Sequence, residues 1–289
     1  MNILVTGAGG FLGKHIIERL PKHHHIYATS LNEGNVKQYD LTFIPNDRIL
    51  TYDFSTFDLI INCAFPRAAD GVGYANGIDF LNSLFQRVEE NETCGFIDIS
   101  SQSLYSFTRT EPATEETQLD LGAVYDVGKY CMELLVDASL KKHKRVHLRL
   151  ASLIGAGFDQ RIVNRFVKSV VAGENIVVNG GQQLFGFLDV RDCADAITTV
   201  VEHWNDVDTT GAVFNIGNTG AYTLQTIAET VAAVGTEFDY NAKVIVTEGS
   251  DEWKNTSLDA TKFYRTFNWQ PKYSLEDTTR AIYLQMTGK

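Results

Sequence analysis

The chain opens with an apolar run, Asn2-Ile3-Leu4-Val5-Thr6, set directly before Gly7-Ala8-Gly9-Gly10-Phe11-Leu12-Gly13. Few local patterns restrict a fold as tightly. The run reads as a strand buried on both faces, and the amphipathic stretch after the glycines reads as a helix. Between them Gly7 permits a tight turn, Gly10 lets backbone approach a pyrophosphate, and Gly13 lets the helix pack closely on the sheet. Phe11 and Leu12 then fall in the first helical turn, whose N–H groups and dipole favour an anion. A glycine triplet alone is weak evidence, since an ordinary glycine-rich turn also carries one. Its position, strand before and helix after, makes dinucleotide binding the stronger reading.

The first half keeps alternating strand and helix. Further strands are expected at 25–30, 58–63, 95–99 and 146–150, with helices at 11–20 (stopped by Pro21), 76–90 and about 119–142. Segment 42–56 is short for a strand–helix–strand excursion, so one crossover helix is expected to shrink to a loop. After Gly155 the rhythm changes: helices at 161–172, 192–204 and 223–233, the last capped by Thr223, and strands at 176–178, 185–190 and 213–216. No internal repeat and no Pro/Gly/Ser linker appears. The expected fold is α/β: a doubly wound parallel Rossmann sheet over 1–155 that binds NAD or NADP, with a smaller C-terminal substrate-binding region over 156–289. Segment 187–217 is a candidate to pack back onto the first domain.

Composition removes several classes of function. With 36 acidic against 25 basic residues, the formal net charge is −11, which disfavours nucleic acid and anionic membranes as partners. The four cysteines, Cys63, Cys94, Cys131 and Cys193, form no C-x-x-C pair and are expected to be reduced thiols. The first residues lack the features of a signal peptide, and no apolar run reaches the ~20 residues of a membrane helix. A cytoplasmic protein with a small-molecule substrate is expected.

Chemistry concentrates in the middle of the chain. Tyr125-Asp126-Val127-Gly128-Lys129 sets a phenol and an ammonium on one helix face. At about 5 Å and an effective dielectric near 20, that cation stabilises a phenolate by roughly 3 kcal/mol. An oxidised nicotinamide would add positive charge, bringing Tyr125 towards useful acid–base work. Lys129 can also hold the nicotinamide ribose. Phe96-Ile97-Asp98-Ile99-Ser100-Ser101 is a strand ending in hydroxyls, and Ser101 can hydrogen-bond the oxygen whose charge changes. Its bland alternative is a turn or cap serine. No metal site is expected. Three consecutive histidines, His23-His24-His25, cannot all face one ion at a strand start, and a solvated loop explains them. Cys63 reads as core packing, as do Trp204, Trp253 and Trp269. For cofactor choice, the second strand ends in Ser30, which neither repels nor clamps a 2′-phosphate, so NAD and NADP both stay open.

These segments together resemble the extended short-chain dehydrogenase family, the NAD-dependent epimerases/dehydratases. The resemblance spans nearly the whole chain. It rests on Thr6–Gly13, Asp58-Leu59-Ile60-Ile61-Asn62-Cys63-Ala64, Asn76 and Asn82, Ser100-Ser101-Gln102-Ser103-Leu104-Tyr105 and the Tyr125/Lys129 pair. It continues through Arg149-Leu150-Ala151-Ser152-Leu153-Ile154-Gly155, Phe187-Leu188-Asp189-Val190-Arg191-Asp192, Val213-Phe214-Asn215-Ile216-Gly217 and Phe267-Asn268-Trp269-Gln270-Pro271. The resemblance implies that Tyr125 exchanges a proton with a substrate hydroxyl or carbonyl, while Ser101 polarises the same oxygen. It puts Asp53 near the adenine and Ala64 where backbone lines the cofactor. It also implies a nucleotide-sugar substrate and a homodimer built on the helices at about 76–90 and 119–142.

Three departures narrow the chemistry. Dehydratases of the family carry acids just after the catalytic Ser/Thr, where this chain has Gln102 and Ser103. The arginine that commonly clamps a diphosphate is replaced by Phe185. The usual substrate-side asparagine is Ser152. Arg161, Arg165 and Arg191 could contact a phosphate, and each could equally be a solvated or salt-bridged residue. The leading expectation is a sugar or nucleotide-sugar epimerase or ketoreductase. A carbonyl reductase or dehydrogenase for a non-nucleotide substrate, suited by an apolar wall at Phe185 and Phe187, is the alternative. A dormant NAD(P)-sensing protein is the third reading.

Overall fold

The computed structural model describes residues 1–66, 71–249 and 254–289; Trp253 lies outside them. The chain divides into two compact units. Met1–Leu104, Leu119–Arg149 and Ala194–Phe214 form the first; Tyr105–Gln118, Leu150–Cys193 and Asn215–Lys289 form the second.

In chain order the early elements are β1 (Asn2–Thr6), α1 (Phe11–Arg19), β2 (His25–Ser30), β3 (Thr42–Pro45), β4 (Leu59–Asn62) and α2 (Gly71–Glu89). Then come β5 (Gly95–Ser101), α3 (Val124–Ser139), β6 (Arg145–Leu150), β7 (Ser152–Ile154) and α4 (Ile162–Val171). Next are β8 (Ile176–Asn179), β9 (Leu184–Phe185), β10 (Phe187–Asp189), α5 (Val190–Glu202) and β11 (Ala212–Ile216). The last are β12 (Tyr222–Thr223), α6 (Leu224–Thr236), β13 (Val244–Thr247), α7 (Thr261–Phe267) and α8 (Leu275–Thr287).

The central sheet is seven-stranded, in the order β11-β6-β5-β4-β1-β2-β3. β1 pairs in parallel with β2 on one side and β4 on the other, so the winding reverses there, and ligands of such sheets bind beyond the strands' carboxyl ends at that point. Ile3, Leu4, Val5, Leu59, Ile60 and Ile61 are fully buried. Unbroken apolar runs are what a sheet covered on both faces requires, and each such side chain is worth roughly 1.5–3 kcal/mol. The expected α/β doubly wound sheet is present. The shortened crossover is also present: after β3 the chain makes two 3-10 turns, Ile49–Thr51 and Phe54–Thr56, before β4.

Several boundaries differ from the expected ones for local reasons. α3 begins at Val124 rather than 119, because the Asp120 N–H donates to the Leu104 carbonyl at 2.8 Å and the Asp126 carboxylate accepts from the Ala123 N–H at 3.0 Å. The single strand expected at 185–190 is two. β9 pairs with β12 and β10 with β7, and at Gly186 between them a Cβ would lie 2.6 Å from the Ser257 Cα.

The second unit has its own core, where Val163, Val167, Ile227, Val231, Ile282 and Tyr283 of α4, α6 and α8 are buried together. Thr223 caps α6 as expected, accepting from the Thr226 N–H at 3.0 Å. α8 begins with a reciprocal cap between Ser274 and Asp277. The four cysteines are free thiols. Among the described residues no helix is long and apolar enough to cross a membrane. Trp204 and Trp269 are buried, Trp204 against Gly95 and Trp269 against Phe263, as packing residues would be.

Candidate active site

The glycine loop is constrained at three points. Gly7 turns with φ +62°, a conformation that glycine alone adopts without strain. A Cβ on it would lie 2.8 Å from the Ala64 nitrogen, so loop and β4 end meet backbone to backbone. A Cβ on Gly13 would lie 2.5 Å from the Gly7 carbonyl oxygen, which is the close helix packing the sequence called for. α1 follows Gly10 with no side-chain cap and no acid in its first turn, leaving the positive end of its dipole for a ligand anion. This cradle fits a dinucleotide pyrophosphate along Gly7, Gly10, Phe11, Leu12 and Gly13.

Neutral groups border the loop. A Cβ on Gly9 would lie 2.5 Å from Ser30 Oγ and 3.0 Å from Asn35 Cβ, so Ser30 and Asn35 both reach the glycines. Asn35 was invisible to pattern reading, since no periodicity marks a loop amide that returns to a turn. Asp53 is exposed and caps the Phe54–Thr56 turn, its Oδ1 accepting from the Ser55 N–H at 3.0 Å and the Ser55 hydroxyl at 2.7 Å. Those bonds hold its carboxyl below the usual carboxylate range. The Thr6 hydroxyl donates to Asn62 Oδ1 at 2.7 Å and accepts from the Ala64 N–H at 3.3 Å, fixing the backbone at Ala64.

Tyr125 and Lys129 converge on one side chain that sequence reasoning missed, Phe65. It follows β4, and its ring lies 5.4 Å from the Tyr125 ring, edge to face. The Lys129 ammonium sits over the same ring at 4.2 Å and donates to the Ile99 carbonyl at 2.7 Å. Gly128 makes room: a Cβ there would lie 3.1 Å from the Phe65 ring. Ile99 is two residues before Ser101 on β5, so the ammonium is anchored to the strand that ends in the candidate serine. Ser101 Oγ accepts from the Ser103 N–H at 3.2 Å. It therefore makes a turn bond, as its bland alternative foresaw, while the hydroxyl hydrogen is not used in that bond. Tyr125 and Ser101 are half-buried. The neighbouring Cys63 thiol is pushed up to about 12, by burial above all, with the Lys129 charge opposing; it stays protonated and is no nucleophile.

Below this group lies a buried charge cluster. Glu133 accepts from Arg149 Nε at 2.9 Å and Nη2 at 2.7 Å, and the Ser100 hydroxyl donates to the same carboxylate. Tyr125, Lys129 and Glu133 recur every fourth residue along α3, a spacing that stacks side chains on one face. That spacing was the available signal for Glu133.

In the second unit Ser152 starts β7, half-buried. Phe185 stacks on Phe187 with ring centroids 5.8 Å apart. Arg191 is committed to a two-point bond with Asp189, at 2.9 and 2.7 Å, and lies 3.6 Å from the centre of the Tyr273 ring. Of the two readings open for Arg191, the salt-bridged one is realised. Arg161 stands over Phe158 at 5.0 Å, and Arg165 is exposed.

A family model described as "NAD dependent epimerase/dehydratase family" matches residues 3–217. UDP-glucuronic acid decarboxylase 6 of Arabidopsis thaliana is 26% identical over 307 aligned positions, covering 96% of this chain and 86% of that protein. The low-salt glycan biosynthesis protein Agl12 of Haloferax volcanii is 25% identical, with 97% of each chain covered. Among solved structures, UDP-glucuronic acid 4-epimerase from Bacillus cereus, in complex with UDP-glucuronic acid and NAD, is similar with a TM-score of 0.84 at 22% identity, covering 100% of this chain and 99% of that one.

Proposed function

This chain belongs to the NAD-dependent epimerase/dehydratase family, and we propose that it acts on a secondary alcohol carbon of a UDP-linked sugar. Tyr125 is the proton-transfer group, Lys129 its electrostatic partner, and Ser101 the hydrogen-bond donor to the reacting oxygen. The observation that carries this reading is the meeting of Tyr125 and Lys129 on Phe65, with Lys129 tied to Ile99 just before Ser101.

Bound NAD would supply a hydride acceptor and donor for the sugar carbon. Gly7, Gly10, Phe11, Leu12 and Gly13 would hold its phosphates, Ser30 and Asp53 its adenosine half, and Ala64, Tyr125 and Lys129 its nicotinamide half. NAD is favoured by the family and by solved relatives bound to it; the neutral Ser30 and Asn35 supply no cation to reward a 2′-phosphate. As the hydroxyl carbon is oxidised, Tyr125 takes the hydroxyl proton. Lys129 stabilises the phenolate that accepts it, and Ser101 donates to the oxygen as it becomes a carbonyl. Reduction runs the same steps backwards. Gln102 and Ser103, in place of acids, favour epimerisation or redox chemistry over elimination. Ser152 and Phe185 are the candidate substrate contacts.

A homodimer through α2 and α3 is part of the proposal. Val124, Val127 and Leu134 of α3 are 68%, 50% and 52% exposed, and that apolar stripe suits a second copy.

The test is turnover of UDP-glucose, UDP-N-acetylglucosamine and UDP-glucuronic acid with NAD or NADP, followed by NMR of the sugar. Conversion that Tyr125→Phe abolishes supports the proposal. Absence of any UDP-dependent thermal stabilisation favours the second reading, a non-nucleotide carbonyl reductase. Its motive is the stacked Phe185/Phe187 pair and the engagement of Arg191 by Asp189.

A further inference from the structure

Three consecutive histidines at a strand start cannot all face one ion. The structure divides them. His25 turns to β3, where its Nε2 lies 3.0 Å from the Thr42 hydroxyl. His23 and His24 turn together, their ring centroids 4.1 Å apart, and both reach Glu202, the last residue of α5. His24 Nε2 is 2.8 Å and His23 Nε2 3.7 Å from Glu202 Oε1. One ligand atom from each residue lies within 4.8 Å of the other two.

We propose that His23, His24 and Glu202 bind a divalent transition ion, with zinc the best match. Zinc–nitrogen and zinc–oxygen bonds of about 2.0–2.2 Å in a tetrahedral site put ligand atoms roughly 3.3–3.5 Å apart. The two distances to Glu202 bracket that value, so small side-chain shifts bring both histidines to the ion. It would sit between His24 Nε2 and Glu202 Oε1, now 2.8 Å apart, with water completing the shell. Two imidazoles and one carboxylate suit zinc, nickel or copper, and are poor ligands for magnesium or calcium. His24 is prepared for the task. Its side chain is 5% exposed, so packing already holds the ring and little side-chain freedom is lost when an ion binds.

Location separates this site from the chemistry. His23 and His24 lie in the turn before β2, at the amino end of a strand parallel to β1, whereas the glycine loop leaves the carboxyl end of β1. The ion would therefore staple the α1–β2 turn to the end of α5, segments 178 residues apart in sequence for the His24–Glu202 pair. Its effect is on stability and not on turnover.

The experiment is zinc titration by calorimetry, with thermal unfolding in parallel, on the full chain without a histidine tag and in excess magnesium. One saturating equivalent is expected, with a rise in Tm. His23→Ala and Glu202→Gln should each weaken binding at least tenfold, while Cys131→Ser, a control for thiol binding, should not change it. His23 is 65% exposed, so its removal leaves packing intact. No saturable binding, binding that both variants retain, or equal competition by magnesium would overturn the site. Activity towards UDP-sugars is a separate readout, so failure here leaves the proposed function standing.

Discussion

Successive turns of α3 treat charge in opposite ways. At its amino-terminal end the Lys129 ammonium is met by a carbonyl and the face of Phe65, neither of which cancels its charge. One turn on, the Glu133 carboxylate is gripped by the Arg149 guanidinium and the Ser100 hydroxyl. Next, Asp137 faces Arg145 at 2.6 Å and His147 at 3.5 Å, and His147 reaches Asp98 at 3.0 Å. The lesson is one of division. Full charges paired with full charges hold β5, β6 and α3 together, whereas on the proposed mechanism the Lys129 ammonium is there to act on the neighbouring phenol.

The sharpest way to break this division is to cut each end separately. Tyr125→Phe should lower kcat by about 10²–10⁴, the usual worth of a general acid–base group, and leave the urea midpoint unchanged. A large fall in stability would show that Tyr125 belongs with the structural end. Glu133→Gln should do the reverse, losing about 3–5 kcal/mol of unfolding free energy because Arg149 is left buried without its countercharge. Replacing the pair together, as Glu133→Leu with Arg149→Met, should recover most of that loss. If the double variant is as unstable as the single, the pair does more than compensate itself.

The structural end also predicts a pH signature. Burial alone would lower the His147 pKa, but the Asp137 carboxylate 3.5 Å from its Nε2 and the Asp98 hydrogen bond, with the charges of Asp98 and Glu133, raise it to about 9. Its folded value lies above its unfolded value near 6.5, so the stabilisation is complete below about pH 6.5 and is lost as pH rises through about 9. Asp137 behaves oppositely. The nearby His147 ring, opposed by burial and aided by Arg145, holds it at about 2; its contribution is present above about pH 4 and lost as pH falls through 2. Urea midpoints should therefore be flat between about pH 4 and 6.5 and decline by pH 9.5. His147→Gln should remove most of the alkaline decline. If the decline persists unchanged in that variant, another group is responsible.

What the sequence disclosed, and what it hid, follows the same physical line. Local grammar was readable: the Thr6–Gly13 turn, the apolar strands β1 and β4, the Thr223 cap, and the four-residue step from Tyr125 to Lys129. Ser274-Leu275-Glu276-Asp277 carries an equally clear cap, and α8 was there to be found. Long-range convergence was not readable. No window links His24 to Glu202, and nothing in Asn62-Cys63-Ala64-Phe65-Pro66 says that a loop phenylalanine ends between a tyrosine and a lysine of α3. The split of β9 from β10 depends on Ser257 passing over Gly186, a contact made some seventy positions away.

Phe65 is therefore where the contrast between the two ends is most open to refinement. A cation over an aromatic face gains about 0.5–2 kcal/mol, and an apolar ring placed there would also keep water from the ammonium. Phe65→Ala removes both effects. Solvent then screens the ammonium, the phenolate is less stabilised, and the rising limb of kcat/KM for alcohol oxidation should move to higher pH. A loss of about 0.5–1 kcal/mol corresponds to roughly 0.4–0.7 pH units. Phe65→Leu keeps an apolar plug without a π face. If water exclusion governs, the leucine variant keeps the native profile; if the ring face governs, it shifts with alanine. A profile unmoved by either change would mean that Phe65 only packs beside Lys129 and has no part in tuning the phenol.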